Sequence, residues 1–323
     1  MVHIRRSALP LLAVVVLISV AACTGSAATP GVQGPAPSQG VAGVTSAPSA
    51  AGPAVDPNSP DSILTQAISG GAAIKSVHLK IEVSGTIKAA ALKEAGSSTG
   101  GLSAALTSDL KLDGTAIEGD IDVANQAADI KLSVAAIPEF GGVPITGELI
   151  AKDQTLYYKV SMLGPKYSKM DLGSLTKGLG VTASALPTPG ASALAGVTDE
   201  IAQMRKQLQD FGAVAKLVGV EQVGGKDANH IQITLPLDKI NAQIAAAAAA
   251  ASPSPDPLMA SMKVDAASID FWIYKADNRL AKMSASGASS VLGNIALAIT
   301  LTNYDVPVTI TAPPASQVTA TAP

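Results

Sequence analysis

One residue near the N-terminus has a type and a setting that point to covalent chemistry. Cys23, in the stretch Val20-Ala21-Ala22-Cys23, is the only cysteine among 323 residues, so it has no internal disulfide partner. Arg5 and Arg6 precede the apolar run "ALPLLAVVVLISVAA", and small residues stand just before the thiol. A positive start, a short apolar run and a small-residue cleavage point are the layout of an export signal. The small residues before Cys23 resemble the bacterial lipobox, in which the thiol takes a diacylglyceryl group, cleavage precedes the cysteine and the new amino group is acylated. The alternative is an ordinary signal that leaves a free thiol beside the cut. The position of Cys23, at the cleavage point and nowhere else, favours acylation. One acyl chain binds a membrane only marginally, and two or three make a durable anchor. Arg5-Arg6 also permits twin-arginine export, but "RRSALP" lacks the rest of that pattern, so the general secretory route is expected.

The other residues with catalytic potential lack the settings that catalysis needs. Of three histidines, His3 leaves with the signal. His78 alternates with Lys80 and Glu82, and His230 with Gln232 and Thr234, so both are expected on the solvated face of a strand. No G-x-S-x-G elbow and no H-E-x-x-H motif occur. "GLGVTA" (178–183) satisfies G-x-G-x-x-A, but it follows no strand and leads into "LPTPG" instead of a helix, so a nucleotide loop is not expected. The carboxylates are scattered singly over strand faces and turns. The chain is expected not to be an enzyme, with no cofactor and no metal.

Composition narrows the class further. The formal net charge is −3, which argues against a nucleic-acid partner. Charged residues make up 15% and apolar ones 47%. After Cys23 no run of large apolar residues reaches the ~20 needed to cross a bilayer. Three Phe, five Tyr and one Trp leave the filling of the interior to Ala, Val, Leu and Ile. Such an interior is compatible with a cavity.

Chemistry at Cys23 needs a tether and a body. Residues 1–22 read as the signal peptide. Residues 23–58 read as the lipidated cysteine followed by a disordered Pro/Gly/Ala/Ser tether, which at 5–6 Å × √n would hold the body about 30–35 Å from the membrane. Residues 59–314 read as one folded domain, and 315–323 as a disordered tail. The domain opens on a helix with Ser59 as N-cap, Pro60 in the first turn and Ile63, Leu64, Ala67 and Ile68 on one face. "VHLKIEVSGTIK" then alternates cleanly, with Val77, Leu79, Ile81 and Val83 on one side, as in a half-buried antiparallel strand. Similar alternation recurs in about ten segments. Turns are expected at 112–114, at Glu118-Gly119-Asp120, at Gly224-Gly225-Lys226-Asp227 and at 275–278.

Two more one-sided helices are expected. One carries Ile201, Met204, Leu208 and Phe211 after a Thr198 cap, and the other carries Leu237, Ile240 and Ile244. Residues 90–105 and 178–196 read as flexible insertions. Helices laid on one face of a large antiparallel sheet give an α+β class. Trp272 and Tyr274 share one side of their strand; cross-strand packing, lining of a cavity and contact with the membrane during lipid loading are all open to them.

With these elements placed, the sequence resembles the actinobacterial lipoprotein family of LppX, LprA, LprF and LprG. The stretches that carry the resemblance are "AAIKSVHLKIEVSG", "GGVPITGELIAKDQTLYYKVSMLGPKYSKMDL", "VGVEQVGGKDANHIQITLPLDKI", "FWIYKADNRLAKM" and "ALAITLTNYDVPVTITAPP", spread over most of residues 60–314. The resemblance implies a single antiparallel sheet curved into a U-shaped half-barrel, like that of the Gram-negative lipoprotein carriers. It also implies helices on the concave face around a hydrophobic cavity for acylated lipids or glycolipids. The tether and the insertions at 90–105 and 178–196 are longer than in the shorter members, which bears on the cavity mouth.

The expected function is a membrane-anchored lipoprotein that carries acylated lipid or glycolipid between plasma membrane and outer envelope. Its expected partners are membrane lipids and glycolipids, the plasma membrane through Cys23, and an envelope lipid transporter. The expected lining is Val77, Leu79, Ile81, Val83, Ile130, Leu132, Val134, Ile145, Leu149, Ile231 and Ile233 from the sheet, facing Ile201, Met204, Leu208, Ile240 and Ile244 from the helices. The alternative is a non-catalytic envelope scaffold or transporter accessory whose core is filled.

Overall fold

The computed structural model describes residues 56, 58–70, 74–97, 108–136, 142–171, 209–250 and 262–319. Three α-helices are described: α1 (Pro60–Gly70), α2 (Ala89–Ser97) and α3 (Leu237–Ala250). The Cys23 anchor, the tether through residue 55, the 178–196 insertion and the helix stripe Ile201, Met204 and Leu208 lie outside the described residues.

Twelve strands form one sheet: β1 (Ser76–Ile87), β2 (Leu110–Lys111), β3 (Thr115–Asp122), β4 (Ala127–Val134), β5 (Ile145–Lys152), β6 (Thr155–Val160), β7 (Ser168–Asp171), β8 (Val214–Val223), β9 (Lys226–Thr234), β10 (Ala266–Tyr274), β11 (Leu280–Ser289) and β12 (Gly293–Thr302). Their spatial order is β7-β6-β5-β4-β3-β1-β12-β11-β10-β9-β8, with the short β2 paired to the end of β1. Two meanders of consecutive hairpins are therefore joined where β1 pairs with the last strand, from His78 opposite Thr302 to Ile87 opposite Gly293. Every strand pairing is antiparallel, and the end strands β7 and β8 do not meet, so the sheet is an unclosed half-barrel. The expected α+β class with one large antiparallel sheet holds.

Local chemistry explains the elements. The Ser62 amide donates to Ser59 Oγ at 3.2 Å, so Ser59 caps α1 as the sequence indicates. Positive φ at both Asp153 and Gln154, and at both Gly224 and Gly225, gives two-residue hairpin turns whose twist matches that of the strands they join.

Three expectations are corrected. Glu118-Gly119-Asp120 is not a turn but the middle of β3, opposite Lys131, Ile130 and Asp129 of β4. A Cβ on Gly119 would stand 1.9 Å from the Asp129 carbonyl oxygen, so this glycine marks close strand approach, not reversal. Part of the 90–105 insertion belongs to α2, whose first amide, at Ala89, donates to the Asp109 carboxylate at 2.9 Å. That cap lies twenty residues downstream, beyond the reach of a local pattern. Residues 315–319, read as a disordered tail, are ordered: Ala315–Gln317 form a 3-10 turn and Val318 bridges Tyr167. The Tyr167 amide donates to the Gln317 carbonyl at 2.8 Å, and that of Thr319 donates back to the Tyr167 carbonyl at 2.7 Å. A C-terminal strap thus closes over β4–β7, where Ala127, Ile150, Tyr167 and Ile310 form a buried cluster.

Candidate functional site

The period of two assigns every strand residue to one of two faces, and the register joins equivalent residues across the sheet. On one face a single apolar row runs Leu217, Ile231, Phe271, Met283, Ile299, Ile81, Ile117, Leu132, from β8 to β4. It continues through Gly147 of β5 to Val160 of β6. A neighbouring row runs Leu301, Leu79, Gly119, Ile130, Leu149, Tyr158. Val83 stands opposite Leu297, Val134 opposite Ile145, and Ile233 opposite Ile269. The structure therefore brings all eleven sheet candidates, Val77 to Ile233, onto one face.

That face has two unlike halves. Over β9 and β10, Ile63 and Leu64 of α1 pack on Ile231 and Ile273, with Ala67, Phe271 and Leu280 beside them, and Ile231 and Ile273 are fully buried. Ile233, Ile269 and Ala285 form an adjoining buried cluster. Across β1 and β3–β6 the equivalent side chains, Leu79, Ile81, Ile117, Ile130, Leu132, Val134, Ile145 and Val160, are only half-buried. Leu149 is 37% exposed. Only Val77, at the start of β1, is buried there. The helix candidates also differ. Ile244 is buried and Ile240 half-buried, and α3 is tied to connecting segments by reciprocal Asn241–Val264 bonds of 2.8 and 3.0 Å.

The opposite face is charged across its middle and carries separate buried clusters around Ile150 and around Trp272. Lys80, Glu118, Lys131, Glu148 and Lys159 stand opposite one another in turn, an alternating-charge ladder across β1, β3, β4, β5 and β6. Lys159 Nζ lies 2.8 Å from Glu148, and this ion pair holds the Glu148 carboxyl below its ordinary value. An open groove of about 780 Å³ runs over the ladder, lined by Glu118, Lys131, Glu148, Lys159 and the hydroxyls of Ser133, Thr146 and Ser161. Of the sixteen expected lining residues only Leu132 borders it. A smaller cavity of about 250 Å³ opens at the β6–β7 edge beside Tyr158, Val160, Leu163, Pro165 and Ser168.

The two remaining histidines lie on this face, as alternation predicts, yet they are not simply solvated. His78 Nδ1 is 2.8 Å from Asp120. His230 is 11% exposed and bridges Glu221 at 2.9 Å and Asp270 at 3.0 Å, with its ring stacked on Trp272 at 4.4 Å. The Trp272 indole N–H donates to Glu221 at 2.8 Å, and Lys282 Nζ lies 4.6 Å above the same ring. Trp272 and Tyr274 pack with Ala228 and Ala281 on this side, away from the apolar rows, which decides for cross-strand packing. Among the described residues no group of three or more His, Cys, Asp and Glu is placed to hold a metal ion.

No protein-family model matches the chain, and no curated protein matches it. Solved structures do. The chain is similar to LprF from Mycobacterium bovis, at 17% identity over 79% of this chain and 96% of that one, with a TM-score of 0.43. It is similar to LppX from Mycobacterium tuberculosis, at 13% identity over 78% and 98%, with a TM-score of 0.36. An outer membrane lipoprotein-sorting protein domain from Vibrio parahaemolyticus matches at 7% identity over 76% and 92%, with a TM-score of 0.21. LprF and LppX are two of the lipoproteins that the sequence resembles. At these identities and TM-scores no ligand, partner or residue role passes from them to this chain.

Proposed function

We propose that this chain is a lipid carrier of the bacterial envelope, with its cargo's acyl chains lying on the apolar face of β1 and β3–β6. One observation carries the reading: among the described residues, α1 packs only on the β8–β10 part of a face that is apolar across ten strands. A sheet built only to make a core has no reason to extend Leu79, Ile81, Ile117, Ile130, Leu132 and Leu149 beyond α1 and leave them half-buried or exposed. Acylation at Cys23 would hold the carrier on the extracytoplasmic side of the plasma membrane, with the tether giving it reach.

The energetics suit a shuttle. Each CH₂ withdrawn from water is worth about 0.8 kcal/mol, so a 16-carbon chain crossing water is shielded by roughly 13 kcal/mol. A chain leaving a bilayer for the protein exchanges one apolar setting for another and gains little, so cargo is not trapped. No catalytic step enters this reading.

Native mass spectrometry of the protein purified from an actinobacterial host tests it. Co-purification of acyl lipid or glycolipid is the expected result. Protein that carries none, and takes up none from vesicles, overturns the carrier reading in favour of a tethered scaffold. Palmitate labelling that disappears in Cys23→Ala is the matching test of the anchor.

A further inference from the structure

The most exposed large apolar side chains among the described residues gather at one place. Leu163 is 77% exposed, Val143 67% and Met162 66%. Met162 and Leu163 lie in the segment that follows β6, and Val143 lies just before β5. The Ser161 amide donates to the Thr146 carbonyl at 2.8 Å, and the Thr146 amide donates to Ser161 Oγ at 3.1 Å. These bonds close the β5–β6 pair at that end and bring the two segments to the same rim of the sheet. The turn is made without strand pairing: the Leu163 amide donates to the Val160 carbonyl at 2.9 Å, and Gly164 takes a φ of 122° before Pro165.

This rim is continuous with the apolar face. Val160, Ile145 and Val134 end the rows on β6, β5 and β4 beside it. The 250 Å³ cavity opens between Leu163 on the rim and Tyr158 and Val160 on the face, with Lys166 at its border. Apolar surface thus runs from the protruding turn onto the strands proposed to hold cargo.

We propose that this rim is a membrane-docking tip. Val143, Met162 and Leu163 enter the acyl region of a bilayer while Lys166 meets lipid phosphates, and cargo passes between the bilayer and the apolar face at this end. The inference rests on the carrier reading and adds where, and against what, transfer occurs. Size selects the bilayer over a protein. A stable protein partner needs about 800 Å² of matched surface on each side, far more than three side chains on this rim supply. The same three residues suit a shallow, reversible insertion with a basic neighbour at headgroup level.

The test uses the full chain with Cys23→Ala and a single new thiol, at Leu163→Cys or Met162→Cys, carrying an environment-sensitive nitrobenzoxadiazole dye. Vesicles of phosphatidylcholine, alone or mixed with phosphatidylglycerol, are added. The expected result is a blue-shifted, brighter emission that spin-labelled acyl chains quench, stronger with phosphatidylglycerol. The same dye on Ala276→Cys, in the exposed turn at the opposite end of the sheet, stays unchanged. In parallel, Val143→Ser, Met162→Ser and Leu163→Ser combined slow lipid transfer between vesicles about tenfold or more, the loss expected when apolar insertion weakens. Silent tip labels, equal responses at both ends, or unchanged transfer in the triple variant overturn the tip. Cargo found by mass spectrometry beside a silent tip leaves the carrier reading standing. A responding tip on a protein that never holds lipid overturns the carrier reading and keeps the membrane contact.

Discussion

Ile231 and Leu149 point from the same face of one sheet into opposite surroundings, the first with 0% of its surface exposed and the second with 37%. Ile231 sits under Ile63 and Leu64 of α1, and Leu149 sits between Ile130 and Tyr158, on the half of the face that α1 does not cover. The two positions should answer the same substitution differently. Ile231→Ala removes packed atoms from a closed core and should cost about 2–5 kcal/mol in denaturant unfolding. Leu149→Ala should cost less than about 1 kcal/mol, because a partly exposed side chain loses little transfer energy. The carrier reading adds that Leu149→Ala lowers lipid occupancy and Ile231→Ala, where still folded, does not. Equal stability losses at both positions would mean that the β3–β6 half is as tightly filled as the other.

Gly119 supplies a prediction about the backbone. Its missing Cβ is what lets the Asp129 carbonyl oxygen approach, since a methyl group there would sit at 1.9 Å. Gly119→Ala therefore has to push β3 and β4 apart in mid-strand, where no flexible side-chain end can yield. A loss of about 1–3 kcal/mol is expected, at the level of core overpacking. A thermal scan checks this, and an unchanged midpoint would show that the strands adjust freely.

Most of the sheet was legible because its strands alternate. Val77 to Val83, Ile130 to Val134 and Ile269 to Ile273 each declare a face, and period two leaves only the pairing order to be found. Gly119 was misread because its neighbours Glu118 and Asp120 look like turn residues, and only the β4 carbonyl beside it reveals the reason for glycine. The split of the apolar face was not legible either. Leu149 and Ile231 have similar sequence surroundings, and what separates them is where α1 comes to rest, a contact between residues 63 and 231. The strap at 315–319 escaped because its bonds go to Tyr167, and the exposure of Leu163 is set by a turn that carries no periodic signal. The alternating-charge ladder is equally hidden: Lys80, Glu118, Lys131, Glu148 and Lys159 come from five strands and form a line only once the register is known.

Asp129 should make the protein less stable as pH rises. It stands opposite Asp120 across β3 and β4, its Oδ1 is buried without a hydrogen-bond partner, and burial, with Glu148 adding to it, raises its carboxyl above the ordinary value. For an acid whose folded-state pKa is raised, the neutral form is the favoured one in the fold. Its contribution is fully present below the unfolded-state value, about 3.9, and is lost as pH rises through the folded value. Asp129→Asn, which keeps the shape and removes the charge, should therefore raise the melting temperature at neutral pH. The gain should shrink as the solution is acidified toward pH 4 and below. A gain that persists unchanged in acid would assign the effect to something other than this carboxylate.

Glu221 has the opposite sign, and the protein carries its own reporter for it. The carboxylate accepts the Trp272 indole N–H at 2.8 Å and faces His230 at 2.9 Å, and these bonds, the indole's first, hold its pKa below the ordinary carboxylate value. For an acid whose folded-state pKa is depressed, stability is present above the unfolded value of about 4.3 and is lost as pH falls through the folded one. Trp272 is the only tryptophan in the chain, so its emission reads this one bond. Acidification should shift that emission in a step below the ordinary carboxylate range, before global unfolding. In Glu221→Gln the amide oxygen still accepts the indole N–H but has no charge to lose, so the step should vanish while the folded baseline stays. Asp270 on the far side of His230, and Lys282 above the ring, remain in both proteins and cancel from the comparison. A step of the same size and midpoint in Glu221→Gln would assign the transition to Asp270 or to the sheet as a whole, and would remove Glu221 as the group that fastens the β8 edge to Trp272.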